Sequence, residues 1–386
     1  APRGSGQGRR AGRPRRGSRM TDASDGDRRP EPTLAVVLIA RNQVWNVERL
    51  VRSVRDEPRC RSADVVLADS ASDDGTPRLA QQLGVRVVGL DPGRRLTAAA
   101  GRVAGQEATR GDYVLFLDGD MELAAGWLGP AIDYLEAHPE VAGIAGRVLD
   151  LPRSWEGPGR EEDGAGSTGG ASANGAGTVG VRASDKAAVD PSDPGGRSAA
   201  GGAVLDPVTV PFVAGASLYR RAALDAVGSF DTALYSDEEP ELGLRLRAAG
   251  YTLVQERRLM AFHFTDPPDR LLTTFRRWRR NLYLGAGQIV RKHLGRPYLG
   301  VWLRERGFFI PPALAFLALL LAVAAWAATG RATLVVAWVV AMVLVVLGLA
   351  WRRRSLESAA ETILERFFHL DGLVRGFFAY RRDRTG

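Results

Sequence analysis

No intrachain disulfide can form in this chain, because Cys60 is its only cysteine. A disulfide framework is thereby excluded, and the main domain is expected in the cytosol. Cys60 itself reads as a small buried hydrophobe. The first 20 residues lack acids altogether yet hold seven arginines, so they supply seven of the eight net positive charges of the 386-residue chain. The remainder is nearly neutral, which argues against a basic nucleic-acid-binding face; no nucleic-acid partner is expected. The same tail lacks the apolar run of a signal peptide, and Met20 is the expected native start.

Charge is missing from two later stretches, residues 308–328 and 332–351. Each reaches roughly 30 Å as a helix, enough to cross a bilayer. Only Thr329-Gly-Arg331 separates them, so a transmembrane hairpin is expected. Arg304 and Arg306 precede it and Arg352-Arg-Arg354 follow it. The positive-inside rule then puts both flanks and the large domain on the cytoplasmic face of a cytoplasmic membrane.

Large apolar residues are scarce at 158–202, a Gly, Ala, Ser and Asp-rich stretch that reads as a flexible insertion. Residues 1–32 are expected to be disordered. Between them, short apolar runs alternate with helical spacing. Strands are predicted at 34–40, 65–68, 85–88 and 113–117, and helices at 46–55, 76–83 and 98–109. This order predicts an α/β domain over 33–268 with a mainly parallel sheet and helices on both faces. The pattern resumes with a strand at 208–215, a second at 217–220 and a helix at 221–227. Residues 269–307 form a basic, aromatic region containing one predicted helix, 269–293, suited either to a membrane surface or to packing on the catalytic domain. The hairpin occupies 308–351, and 352–386 is an amphipathic tail along the inner leaflet.

Two predicted strands end in acid. Val65-Val-Leu-Ala-Asp69 leads into Ser-Ala-Ser-Asp-Asp74-Gly-Thr76, and Val114-Leu-Phe-Leu117 leads into Asp118-Gly-Asp120. Ligands of open α/β sheets bind at the carboxyl ends of strands, so these acids should meet a nucleotide and its metal. Carboxylates at 118 and 120 suit Mg²⁺ or Mn²⁺, which takes one or two of them together with substrate phosphates. The loop after the first strand, Arg41-Asn-Gln-Val-Trp-Asn46, has no glycine. That weakens a nucleotidyltransferase reading, which would want a Gly-rich phosphate loop.

These segments, with Gly215-Ala-Ser-Leu-Tyr-Arg-Arg221, Phe230-Asp231 and Ser236-Asp-Glu-Glu-Pro-Glu-Leu-Gly-Leu-Arg245, resemble in order the signature of family 2 glycosyltransferases with the GT-A fold. The resemblance covers roughly 33–265. It implies an inverting transfer from a nucleotide-sugar donor, with Ala40, Asn42, Asp69, Asp74, Asp118 and Arg245 around the nucleotide sugar, Arg245 pairing either with the diphosphate or with the acids at 237–241. Asp69 would contact the base and Asp120 would be the main metal ligand, with Asp118 beside it; His263 reads either as completing the metal shell or touching diphosphate, or as a packed, hydrogen-bonded histidine. Glu239 would be the base toward the acceptor hydroxyl, with Glu238 the second choice. Anchoring favours a polyprenyl-phosphate or lipid-linked glycan acceptor. Departures from the family pattern are Arg41 for an aromatic residue, Arg102 for an asparagine, and Glu239 and Glu241 for aspartates. Because of them, a catalytically degenerate membrane scaffold stands as the alternative of a different class.

Overall fold

The computed structural model describes residues 31–155, 206–265 and 270–380. The expected insertion at 158–202, and the expected tail apart from its last two residues, lie outside these. In chain order the elements begin β1 (Leu34–Ala40), α1 (Val47–Asp56), β2 (Asp64–Asp69), α2 (Thr76–Gln82), β3 (Arg86–Gly89), α3 (Ala98–Ala108) and β4 (Tyr113–Asp118). Every residue of β1 is buried, as a continuous apolar run in a parallel sheet should be. α1 buries Val47, Leu50, Val51 and Val54 along one stripe. Thr97 starts α3 by accepting the Ala100 N–H on its hydroxyl at 3.2 Å.

Beyond β4 come β5 (Met121–Leu123), α4 (Leu128–Ala137), β6 (Val141–Leu151), β7 (Val208–Thr209), β8 (Ser217–Arg220), α5 (Arg221–Val227), α6 (Glu238–Ala248) and β9 (Thr252–Phe264). The sheet runs β3-β2-β1-β4-β8-β6-β9-β5, with β7 paired to β9. Its first four strands are parallel, as the alternating pattern predicts. β8 then runs antiparallel to both β4 and β6, and β5 antiparallel to β9, while β6 and β9 are parallel. The strand expected at 208–215 pairs only at Val208–Thr209. Pro211 follows at once, and a proline cannot donate to a ladder.

The C-terminal part comprises α7 (Arg270–Arg279), α8 (Gly285–Lys292), α9 (Leu299–Arg306), α10 (Ile310–Thr329), α11 (Thr333–Arg353) and α12 (Leu356–Ala379). The single helix expected at 269–293 is broken: Asn281 takes a left-handed φ of 61°, and its side chain accepts from Arg375 at 2.6 Å. The break turns α8 against α12 while α7 packs its aromatics there too. Trp278 stacks on Phe368 with ring centroids 5.1 Å apart, and its indole N–H donates to Asp371 at 2.8 Å. α7 therefore spends its aromatic face on the C-terminal helix rather than on the sheet. α10 and α11 are long and apolar enough to cross a membrane; α11 buries none of its residues and α10 only Ala322.

The join between α8 and α12 depends on close backbone approach. A methyl group on Gly372 would overlap the Tyr283 carbonyl, whereas one on Gly348 in α11 would meet nothing within 4 Å. Gly372→Ala should therefore destabilise the detergent-purified protein by about 1–3 kcal/mol, read as a lower thermal midpoint. Gly348→Ala should leave the midpoint unchanged or raise it slightly, since alanine is the better helix former. Equal effects of the two would show that the α8 and α12 contact does not carry stability.

Candidate active site

The strand register sets the site. Ala40 lies opposite Asp69, and Ile39 opposite Asp118, so the ends of β1, β2 and β4 finish at one height. The loops above them are stitched together. Asn42, at φ 56°, receives the Asp73 N–H at 3.0 Å on its side chain, and its own N–H donates to Ser72 at 2.8 Å. Asp74 accepts from the Val44 N–H at 3.0 Å and the Thr76 N–H at 2.9 Å. Asn42 and Asp74 thus shape the rim, and Ala40 contributes backbone to it. Asp69 is 4 % exposed; its Oδ2 accepts the Ser72 N–H at 3.0 Å, while its Oδ1 finds no partner among the described residues. A buried carboxylate oxygen left over in this way suits an N–H of a nucleotide base.

Gly119 lets the two aspartates beside it flank a very tight turn. A side chain there would come within 2.8 Å of Gln43 Cγ and 3.1 Å of the Ala40 methyl. Asp118 then faces inward. On α3, Arg102 is only 2 % exposed, and its guanidinium reaches Asp118 at 3.3 Å, Glu238 at 3.0 Å and Glu239 at 3.1 Å. Burial alone would lower its pKa, but Glu239, Asp118 and Glu238 outweigh burial and keep it charged. Desolvation, reinforced by Asp120, raises the Asp118 carboxyl, with Arg102 opposing. The Glu239 carboxyl is pushed up to about 8 by burial and by Glu238 beside it, against the pull of Arg102.

Asp120 sits one step outward. β5 pairs with β9, which carries His263 opposite Met121. The His263 Nε2 lies 3.5 Å from Asp120 Oδ2, and its Nδ1 lies 2.8 Å from Asp150 Oδ1 on β6. Hydrogen bonding to Asp120 and Asp150 pushes the imidazole up to about 10, so it is cationic at neutral pH. Among the described residues no three His, Cys, Asp or Glu side chains form a ready-made metal cage. The donor set nonetheless fits a hard divalent ion. Asp118 and Asp120 offer oxygens, and substrate phosphates are the usual remaining ligands of Mg²⁺. The Asp120 to His263 separation is also one that two ligands about 2 Å from a shared ion can bridge.

Comparison with known proteins bears on what such a crevice does. The model of the family described as glycosyl transferase family 2 matches residues 35–228, half of the chain. The chain belongs to that family. Polypeptide N-acetylgalactosaminyltransferase 3 of Drosophila melanogaster is 28 % identical over 128 residues. That match spans 31 % of this chain and only 19 % of the fly protein. The structure of mannosyltransferase PcManGT from Pyrobaculum calidifontis, solved with GDP-Man and Mn²⁺, superposes with a TM-score of 0.52 at 17 % identity. It covers 88 % of this chain and 87 % of its own, and the shared fold is GT-A.

In this family 2 protein the acidic motif of α6 divides its labour. Glu238 and Glu239 face Arg102, whereas Glu241 turns to the opposite side and is fully buried. There it meets Arg245 at 2.8 Å, Lys292 at 2.8 Å and His293 at 2.9 Å. Arg245 does not reach the crevice. Its Nη1 also donates to the Val227 carbonyl and its Nη2 to the Ser229 carbonyl, so the guanidinium is held in this cluster. The role expected for Arg245 at the nucleotide sugar therefore has no geometric support. Sequence reasoning noticed Arg102 only as a departure from the family pattern, and it missed Asp150, Lys292 and His293. An arginine directly after Ala98-Ala-Ala-Gly101 was the one available signal for Arg102; the partners of Glu241 had none.

Two outcomes follow for stability. Removing Arg102 leaves three carboxylates without their shared cation, and breaking a buried pair typically costs about 3–5 kcal/mol. Arg102→Met should lower the denaturant midpoint accordingly, and an unchanged midpoint would mean the site is open enough for water to replace the guanidinium. Burial alone would raise the Glu241 carboxyl, but hydrogen bonds from His293 and Arg245 and the charge of Lys292 hold it well below the ordinary carboxylate range. A carboxylate with a depressed folded pKa stabilises fully above its unfolded value of 4.5 and loses that contribution as pH falls below it. Wild-type thermal midpoints should drop below about pH 4.5, and Glu241→Gln should be less stable at pH 7 with a flatter acid limb.

Proposed function

We propose that this protein is a metal-dependent inverting glycosyltransferase, working at the cytoplasmic face of a membrane on a lipid-linked or glycan acceptor. The observation that carries the reading is the raised Glu239 carboxyl, held on Arg102 beside Asp118 at the strand ends. A general base works best with a pKa near the operating pH, and about 8 is in that range. The acceptor hydroxyl oxygen forms a bond to the anomeric carbon of the donor as the bond to the diphosphate oxygen breaks. The hydroxyl proton passes to Glu239. A single displacement of this kind inverts the anomeric centre.

Asp118 and Asp120, with His263 once it gives up its proton, would hold Mg²⁺ or Mn²⁺. Such an ion neutralises negative charge that develops on the departing nucleoside diphosphate. The Mn²⁺ and GDP-Man in the PcManGT structure support a nucleotide-sugar donor and a divalent ion here. Asp69, with one free oxygen, is the residue we assign to the base.

Membrane anchoring rests on α10 and α11. Leu317, Leu321, Leu344 and Leu347 are each more than half exposed, an apolar surface that lipid covers and water does not. Arg306 before the hairpin binds Asp237, at the start of α6, so the flank of the first span and the catalytic sheet lie on one side. With the arginines at 352–354, this supports a cytoplasmic catalytic domain.

Donor binding is measured by thermal shift of detergent-purified protein with UDP, GDP and dTDP sugars, in Mn²⁺ or in EDTA. One nucleotide class should stabilise the protein only with metal, and Asp120→Ala should abolish that shift; full activity of this variant would remove the metal assignment. Glu239 works as a base when deprotonated, so kcat/KM should rise with pH and level off above about 8. Glu239→Gln should lower kcat by roughly 10²–10⁴, with Glu238→Gln milder. The reverse ranking would transfer the base role to Glu238.

A further inference from the structure

His263 stands at the outer edge of the strand-end site, and the sheet brings a second carboxylate to it. β6 runs beside β9 with its register broken between Ala145 and Arg147 and again between Arg147 and Val148. Had the pairing of Ala145 with Gln255 continued unbroken, Asp150 would lie abreast of the buried Met260. The breaks carry it to His263 instead, and irregularities of this kind re-aim side chains beside functional sites. On the other edge of β9, the Phe264 N–H donates to the Asp120 carbonyl at 2.8 Å. One strand thus places the same histidine between two aspartates.

Both ring nitrogens are engaged. Nδ1 lies 2.8 Å from Asp150 Oδ1, and Nε2 lies 3.5 Å from Asp120 Oδ2. The two nitrogens of an imidazole diverge, so Asp150 sits at the edge turned away from Asp120. Phe262 and Phe264, the neighbours of His263, are buried, which fixes the strand and leaves the rotation of the ring itself to be settled by hydrogen bonds. Holding the fold is a poor account of the Asp150 contact, since both side chains are partly open to solvent and exposed ion pairs contribute little. A carboxylate on the far nitrogen is instead what a metal-binding histidine uses. It keeps the remaining proton of a neutral ring on Nδ1 and fixes the direction of the Nε2 lone pair.

We propose that Asp150 is a positioning residue for the divalent-ion site, holding the His263 ring so that Nε2 faces Asp120 and an ion shared with it; the proposal rests on the metal-dependent reading above. Asp150 does not bind the ion itself and acts through His263.

Titration of the detergent-purified full chain with Mn²⁺ tests it, in the presence of UDP, GDP or dTDP, with free Mn²⁺ read by electron paramagnetic resonance. Wild type should bind Mn²⁺ with at least one of these nucleotides. Asp150→Ala should weaken that binding by roughly 10–100-fold. Asp150→Asn keeps an oxygen within reach of Nδ1 and should lose less. In a His263→Ala background, Asp150→Ala should cost less than about 2-fold more, because nothing is left to position. Thermal midpoints in EDTA report that each variant is folded; if Asp150→Ala is not, Asp150→Val, which suits a strand, takes its place. Mn²⁺ affinity unchanged by removing the Asp150 carboxylate, a loss as large in Asp150→Asn as in Asp150→Ala, or a loss as large without His263 as with it would each overturn the proposal. Failure of wild type to bind Mn²⁺ with any of the three nucleotides would instead remove the metal assignment itself, and the proposal with it.

Discussion

One guanidinium organises the catalytic end of this protein. Arg102 is a single buried cation facing three carboxylates, Asp118, Glu238 and Glu239. If all three were ionised, the cluster would keep two uncompensated negative charges away from water, which is expensive. The excess is relieved in two ways that chemistry can use. A proton stays on Glu239 to about pH 8, and the outer face of Asp118, with Asp120, attracts positive charge. His263, held between Asp120 and Asp150, supplies such a charge from within the protein. The same imbalance that raises the Glu239 carboxyl therefore favours positive charge at Asp118 and Asp120.

α6 passes this arrangement to the rest of the molecule. Its first turn faces Arg102, Asp237 before it binds Arg306, and Glu241 on its far side binds Lys292 and His293. Lys292 also reaches Asp231, which accepts from the Tyr380 hydroxyl at 3.1 Å just past the end of α12. α8 and α9, which lead into the apolar hairpin, are thus fastened to α6 by ion pairs, and α12, which follows it, is fastened to α8 by glycine-mediated backbone contact. The position of α6 relative to the apolar hairpin is therefore set by α8, α9 and α12.

Much of the parallel half of the sheet was legible because its signals are local. β1, β2 and β4 are apolar runs, the last two stopping in acid, and α1 between the first two carries a clear 3.6-residue stripe. β6 was not legible. Its start, Val141-Ala-Gly-Ile-Ala-Gly146, reads as a turn-prone stretch, yet the glycines are there because Tyr219 and Trp127 lie over them: a methyl on Gly143 would stand 2.7 Å from the Tyr219 ring. The break between α7 and α8 was hidden for a related reason. Nothing in Arg276 to Leu284 is a strong helix breaker, and the turn at Asn281 follows from the docking of α8 on α12.

By itself the sequence determined that acids end the strands of a nucleotide-binding type of sheet, that two helices are apolar on all sides, and that the ordered motifs belong to one transferase family. These follow from periodicity and order along the chain. Only the tertiary structure decided which acid does what. Arg102 and Glu238 are 136 positions apart, and His293 and Glu241 are 52 apart. Neighbouring glutamates on α6 point a helical turn's fraction away from one another, so one set meets the crevice and the other a buried cluster of cations. The same geometry pairs Arg245 with Glu241 and places Arg102, which the motif pattern marked only as a misfit, among three carboxylates. Electrostatics falls off with distance in space and not in sequence, and that is why the roles of identical residue types separated only once the chain was folded.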